Sequence, residues 1–170
     1  MGALLVVFAG RGFAAAPPGA VPLSGGEPGD GGIVVTDGLG HSSLVTPTAL
    51  AGLPAVPLTV SFETEHGPRH GRFAGPLLWT VMSHCGMTGD GAPRTLVHET
   101  LLVTGSDGYT AAIAMGEIAP VFEDKEVILA DEMDGHALAP GHFRIIVPGD
   151  RYGGRDVRDV VRIRVLTPPP

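Results

Sequence analysis

The sequence predicts a mixed α/β domain built mostly of short antiparallel strands, with a few short helices. Three observations point there. Gly 26 and Pro 16 in 170 residues, with aromatic content of 5%, favour many turns over long helices. Apolar residues alternate with polar ones at Leu58, Val60 and Phe62, at Phe143, Ile145 and Val147, and at Val161, Ile163 and Val165, the period of a strand. Clear helical spacing is confined to one stretch, Leu77, Leu78, Val81, Met82 and Cys85. A hydrophobic fraction of 44% with 17% charge fits one folded domain with a buried core.

The first strand is expected at Ile33–Val35, turning at Asp37-Gly38 and returning through Ser42 to Val45. Thr46-Pro47 is a helix start, with Thr46 as N-cap and Pro47 in the first position, and Pro54 stops that helix. A half-buried strand follows through Leu58, Val60 and Phe62, and then a polar loop, Glu63 to His70. Pro76 opens the main helix and Gly86 closes it. Leu101–Thr104 and Tyr109–Ile113 form a hairpin about Asp107-Gly108, and Glu117–Phe122 reads as one helical turn. Val127–Ala130 is a further strand, with a turn at Asp134-Gly135. Phe143–Val147 and Val161–Val165 are the last two strands, joined by a glycine-containing loop with its turn at Pro148-Gly149-Asp150.

The ends are organised differently. Residues 1–16 contain the apolar run Ala3–Ala9 and the small residues Ala14–Ala16, which read as a secretory segment with a cleavage site. No positive charge precedes that run and Pro17 would sit just after the cut, so an arbitrary start or a first buried strand is the other reading. Residues 17–32, rich in Pro, Gly and Ser, read as a tether; the domain is expected over 33–166, with a tail at 167–170. Export to the periplasm or beyond follows if the first segment is a signal, and a cytoplasmic location otherwise. No apolar run is long enough to span a bilayer, and one cysteine excludes an internal disulfide.

Charge singles out the last third. Arg144, Arg151, Arg155, Arg158, Arg162 and Arg164 stand against Asp150, Asp156 and Asp159, a local excess of three positive charges in a chain of net charge −7. A cationic, glycine-containing island in an acidic protein suits a small anion, not a nucleic acid. Arg155 and Arg158, following Gly154, could offer two guanidinium forks to one phosphate. The competing reading is a solvated loop whose arginines pair with Asp156 and Asp159. Arg162 and Arg164 alternate with apolar residues and read as an exposed sheet face.

Three segments in order, Ala130-Asp-Glu-Met-Asp-Gly-His-Ala-Leu138, Phe143-Arg-Ile-Ile-Val-Pro-Gly149 and Gly153-Gly-Arg-Asp-Val-Arg158, resemble the molybdopterin-binding domain of the sulfite oxidase family. Leu50-Ala-Gly-Leu-Pro54, Phe73-Ala-Gly-Pro-Leu-Leu-Trp79 and Thr104-Gly-Ser-Asp-Gly-Tyr109 agree more loosely, and the set covers most of residues 32–166. The resemblance implies that fold and a molybdopterin-type cofactor, with Arg155 and Arg158 at the positions that help hold its phosphate end. Gly154, Arg144, Arg69 and His66 complete the cofactor-binding set it suggests. The family places a molybdenum-binding cysteine where this chain has Thr64, while an arginine near Arg69 is kept. A neutral hydroxyl cannot replace a soft, anionic thiolate. Two functions therefore stand side by side: a molybdopterin-dependent oxidoreductase-like domain, and a non-catalytic relative that keeps the fold as a small-anion or protein-binding module.

Other chemistry is less well supported. Glu63, Glu65, His66 and His70 are metal-competent types, but Gly67-Pro68 denies the two histidines a helical pair, and no metal site is expected. Cys85 falls on the apolar face of its helix and reads as a buried structural thiol despite neighbouring His84. Ser106 lies in a hairpin turn with no nucleophile elbow around it, and Trp79 and Tyr109 read as core or rim packing.

Overall fold

Strands dominate the computed structural model, which describes residues 31–168. The secretory segment and all but the last two residues of the tether lie outside the described residues. The strands are β1 (Ile33–Thr36), β2 (Ser42–Val45), β3 (Ala55–Thr64), β4 (Gly67–Pro76), β5 (Thr100–Gly105), β6 (Thr110–Ala114), β7 (Ile128–Ala130), β8 (Glu132–Met133), β9 (His136–Ala137), β10 (Arg144–Ile146) and β11 (Val160–Leu166). The α-helices are short: α1 (Pro47–Ala51), α2 (Leu78–His84), α3 (Pro93–Leu96) and α4 (Met115–Ile118). No helix among the described residues is long and apolar enough to cross a membrane.

Five strands form one sheet in the order β2-β1-β11-β5-β6, antiparallel except where β1 lies parallel to β11. A second sheet, β3-β4-β8-β9, is antiparallel throughout. The ribbon β10-β7 runs between them, and its two faces serve different cores. Leu129, Ile145 and Val147 join the main core with Leu78, Met82, Leu101 and Ile163. Ile128, Ala130 and Ile146 face the other way, onto Val60 and Phe73 of the β3–β4 hairpin. Alternation along a strand thus fills both cores at once.

Several local expectations hold in detail. Thr46 accepts a hydrogen bond from the Ala49 amide at 3.1 Å and Pro47 opens α1. The Asp107-Gly108 hairpin and the Asp134-Gly135 turn are both present. Four expectations need correction. The polar loop from Glu63 to His70 is mostly strand: β3 runs to Thr64 and β4 starts at Gly67, so the two pair from Ala55↔Pro76 to Thr64↔Gly67. Pro76 therefore ends a strand, and α2 begins at Leu78. The helical turn expected at Glu117–Phe122 sits earlier, at Met115–Ile118, because Met115 and Ile118 are the residues that reach the core. In β11 the register shifts between Val160 and Arg162, so Val160 is buried and Val161 is turned out.

Candidate anion-binding cleft

The tip of the β3–β4 hairpin and the loop from Gly149 to Asp159 enclose an open cleft of about 260 Å³. Phe62, Glu63 and Thr64 come from β3, Glu65 from the hairpin turn, Arg144 from β10, and Tyr152, Gly153, Gly154, Asp156 and Arg158 from the loop. Backbone contacts zip the two walls together. The Glu63 amide donates to the Arg151 carbonyl at 2.8 Å, and Glu63 bridges Tyr152 in parallel. A 3-10 turn, Gly153–Arg155, then lies against β3. Gly153 sits so close to the Phe62 ring that a Cβ there would come within 2.6 Å of it, which only glycine avoids. From the other side, the Tyr109 hydroxyl donates to the Gly154 carbonyl at 2.5 Å.

Arg155, which the sequence suggests for a phosphate, is engaged by carboxylates in this structure. Its Nε and Nη2 donate to Asp150 at 2.8 and 2.6 Å, and its Nη1 donates to Glu117 at 2.9 Å. Lys125 adds a 2.7 Å bond to the same Glu117. Both forks of the guanidinium are filled by carboxylates, so Arg155 fastens the loop to α4. The Arg155 hydrogen bond also holds Asp150 below the usual carboxylate range. Burial alone would raise Glu117, but Arg155 and Lys125 together bring it below that range as well. Neither Asp156 nor Asp159 is the partner of this arginine; Asp159 pairs instead with His142 at 2.8 Å.

Arg144 and Arg158 are the cations that line the cleft. Arg144 lies over the Phe73 ring, 5.2 Å from its centroid, and its Nη1 reaches only the Met133 sulfur, at 3.7 Å. Its Nε is buried and has no hydrogen-bond partner among the described residues. Burial, and then the nearby charge of Arg158, lower its proton affinity. Arg158 makes no ion pair among the described residues. Asp156 and Asp159 offset part of the effect on Arg144, and Glu63 and Glu65 also line the cleft, so the feature that favours an anion is local: a buried guanidinium donor of Arg144 left unused beside a second arginine. Asp156 stands among them. Its Oδ1 accepts the Val147 amide at 3.0 Å, and burial holds its carboxyl above the usual range.

Thr64 lines the same cleft, with its hydroxyl already engaged. Oγ1 donates to the Gly67 carbonyl at 2.8 Å and accepts the His66 amide at 3.1 Å, closing the hairpin turn. His66 and Arg69 are exposed and do not line the cleft, although Arg69 stands across the ladder from Phe62. Of the suggested cofactor set, the fold brings together Gly154, Arg144 and Arg158. It adds Asp156, which lies inside the Gly153–Arg158 motif, and Tyr152, Glu63 and Glu65, which lie outside it. No group of three metal-competent side chains occurs among the described residues. Cys85 caps α2, and burial raises its thiol above the ordinary value.

The sequence profile of the oxidoreductase molybdopterin binding domain matches residues 61–170, most of the chain. The chain belongs to that family. Among solved structures, the sulfane dehydrogenase SoxCD from Paracoccus pantotrophus is similar, with a TM-score of 0.64 and 19% identity over 86% of this chain. The domain spans 40% of that longer chain, and the likeness extends to the fold. No curated protein matches the sequence. With the family established, the residues present can be weighed against its cofactor. Arg144 and Arg158 are the donor types that suit the anionic phosphate end of a pterin cofactor, and Glu63, Glu65 and Asp156 line the cleft beside them. Thr64 does not suit the metal, because its hydroxyl is neutral, hard and committed to the hairpin turn.

Proposed function

We propose that this domain binds a molybdopterin-type cofactor through its phosphate and supplies no protein ligand to a metal. One observation carries the reading: Arg144 and Arg158 converge on a cleft in which the buried Arg144 Nε has no partner among the described residues. Charge-assisted hydrogen bonds from guanidinium to phosphate are among the strongest available to a protein surface. When bound, such a cofactor supplies a dithiolene that can hold molybdenum. The chain's own part is to seat the phosphate, to wall the cleft with Phe62 and Tyr152, and to fix the loop through Arg155.

The engaged Thr64 hydroxyl favours a binding role over oxidoreductase catalysis. The test is purification of the full chain from a host that makes molybdenum cofactor, followed by pterin fluorescence after denaturation and by metal analysis. Pterin retained by wild type and lost in Arg158→Ala is the expected result. A pterin-free wild-type protein overturns the cofactor reading and leaves a small-anion module. Stoichiometric molybdenum that is released by Thr64→Ala overturns the statement about Thr64.

A further inference from the structure

We propose that Asp156 makes the cleft selective for an oxyanion that still carries a proton, so that inorganic phosphate and singly ionised phosphate monoesters are favoured over sulfate. This rests on the reading of the cleft as an anion seat and goes beyond it, because two cations alone would take either anion. Asp156 lines the same cleft as Arg144 and Arg158, and Arg144 is near enough to act on its carboxyl group. One of its oxygens takes the Val147 amide, and it forms no ion pair with either arginine among the described residues. The charged groups around it are Arg144 from β10, Asp150, Arg155 and Arg158 from its own loop, and Glu63 and Glu65 of the hairpin, which line the same cleft. Arg155 is already occupied by Asp150 and Glu117, so it does not neutralise Asp156 by contact.

An ionised carboxylate only accepts hydrogen bonds, and so does a fully ionised oxyanion. Sulfate held by the two arginines would set acceptor against acceptor at Asp156, with two negative charges repelling. Inorganic phosphate near neutrality always keeps at least one hydroxyl, and a monoester keeps one below its second pKa of about 6. That hydroxyl donates to Asp156 and turns the repulsion into a hydrogen bond. Burial works against this, since it favours a proton on Asp156 that could be donated to either anion, so the selectivity belongs to the ionised carboxylate and weakens as pH falls. A serine or asparagine at this position would lack the effect.

The experiment is titration of the full chain with inorganic phosphate and with sulfate, at about pH 6 and matched ionic strength, for wild type and Asp156→Asn. The asparagine keeps an amide oxygen for Val147 and presents a donor where the carboxylate had an acceptor. Wild type should favour phosphate by about tenfold or more, and Asp156→Asn should lose that preference while still binding phosphate. Equal binding of the two anions by wild type overturns the proposal and leaves the anion seat standing; so does a preference that persists in Asp156→Asn. Binding of neither anion by wild type removes the seat and the proposal together. Should the variant fail to fold, the wild-type ratio alone decides.

Discussion

Arg155 and Glu117, 38 residues apart in sequence, are joined by a guanidinium–carboxylate contact with Nη1 2.9 Å from Oε2. With Asp150 on its other edge, Arg155 ties the cleft loop to α4, which in turn reaches the main core through Met115 and Ile118. The arginine that looks most like a phosphate ligand in sequence is thus a structural fastener. Its neighbour three positions on, Arg158, is the one that lines the cleft. The pair separates stability from binding.

Arg155→Ala should destabilise the fold while leaving the cleft's cations in place. It strands Asp150 and leaves Glu117 with Lys125 alone; their side chains are only 20% and 13% exposed. Arg155 itself is 32% exposed, so solvent screening keeps the loss at about 1–3 kcal/mol, below that of a fully buried pair. Arg155→Lys should recover part of it, since one ammonium cannot serve both carboxylates with a fork. Urea denaturation measures the loss. Arg158→Ala should leave the urea midpoint unchanged and weaken phosphate binding about tenfold or more. Equal midpoints for Arg155→Ala and wild type would mean the fastener is not holding the loop.

The same network gives a signed pH dependence. Asp150 and Glu117 are held below their ordinary pKa values in the fold. The unfolded chain therefore binds their protons first as pH falls. Their stabilisation is complete above the ordinary carboxylate range and is lost as pH drops through the depressed folded values. Asp156 works in the opposite sense: burial raises its folded pKa, so its charge costs stability near neutrality and that cost is relieved on acidification. The comparison to make is urea stability against pH for wild type and Glu117→Gln. The variant should be the less stable at neutral pH, and the difference should shrink towards acid. A difference that is constant down to strongly acid pH would show that Glu117 is not depressed in the fold.

How much of this was legible in the sequence depends on how local each cause is. The Thr46-Pro47 helix start and the Asp107-Gly108 hairpin are set by neighbours in the chain, and both appear where expected. β4 was hidden because its side chains do not alternate visibly. Gly67, Gly71 and Gly75 bring no apolar side chain to the pattern, and Pro68 and Pro76 argue against a strand. Its partner β3 holds it in register over ten residue pairs, a tertiary effect that no window of sequence displays. The cleft was half legible. Charge clustering drew attention to the loop, but which arginine faces inward is decided by Glu117, far away in sequence. Asp156 looked like an ion-pair partner; only the fold sets it beside Arg144 in the cleft.

Thr64 offers a check on its own role. Because Oγ1 bonds both the Gly67 carbonyl and the His66 amide, Thr64→Ala should lower stability by about 1 kcal/mol through the hairpin turn. Thr64→Ser should be close to wild type, as the hydroxyl is kept. Thermal denaturation of the three proteins is sufficient. If Thr64→Ala melts with wild type, the hydroxyl is not supporting the turn, and it is free for some other partner in the cleft.

The close contact of Gly153 with Phe62 joins the shape of the cleft to a single hydrogen atom. An alanine Cβ at this position would lie 2.6 and 2.7 Å from two carbons of the Phe62 ring, nearer than real Cβ contacts allow. Either the ring or the 3-10 turn must move. Phe62 packs with Val60 and Phe73 in the smaller core, so its displacement costs packing as well as cleft geometry. Overpacking of this kind costs about 1–3 kcal/mol. The turn also carries Gly154, whose carbonyl is held by Tyr109, and it leads directly into Asp156 and Arg158. Gly153→Ala should therefore lower the urea midpoint and weaken phosphate binding together, whereas Tyr109→Phe, which removes only the bond to Gly154, should affect both less. Unaltered phosphate affinity in Gly153→Ala would show that the wall formed by Phe62 and the 3-10 turn does not shape the anion seat.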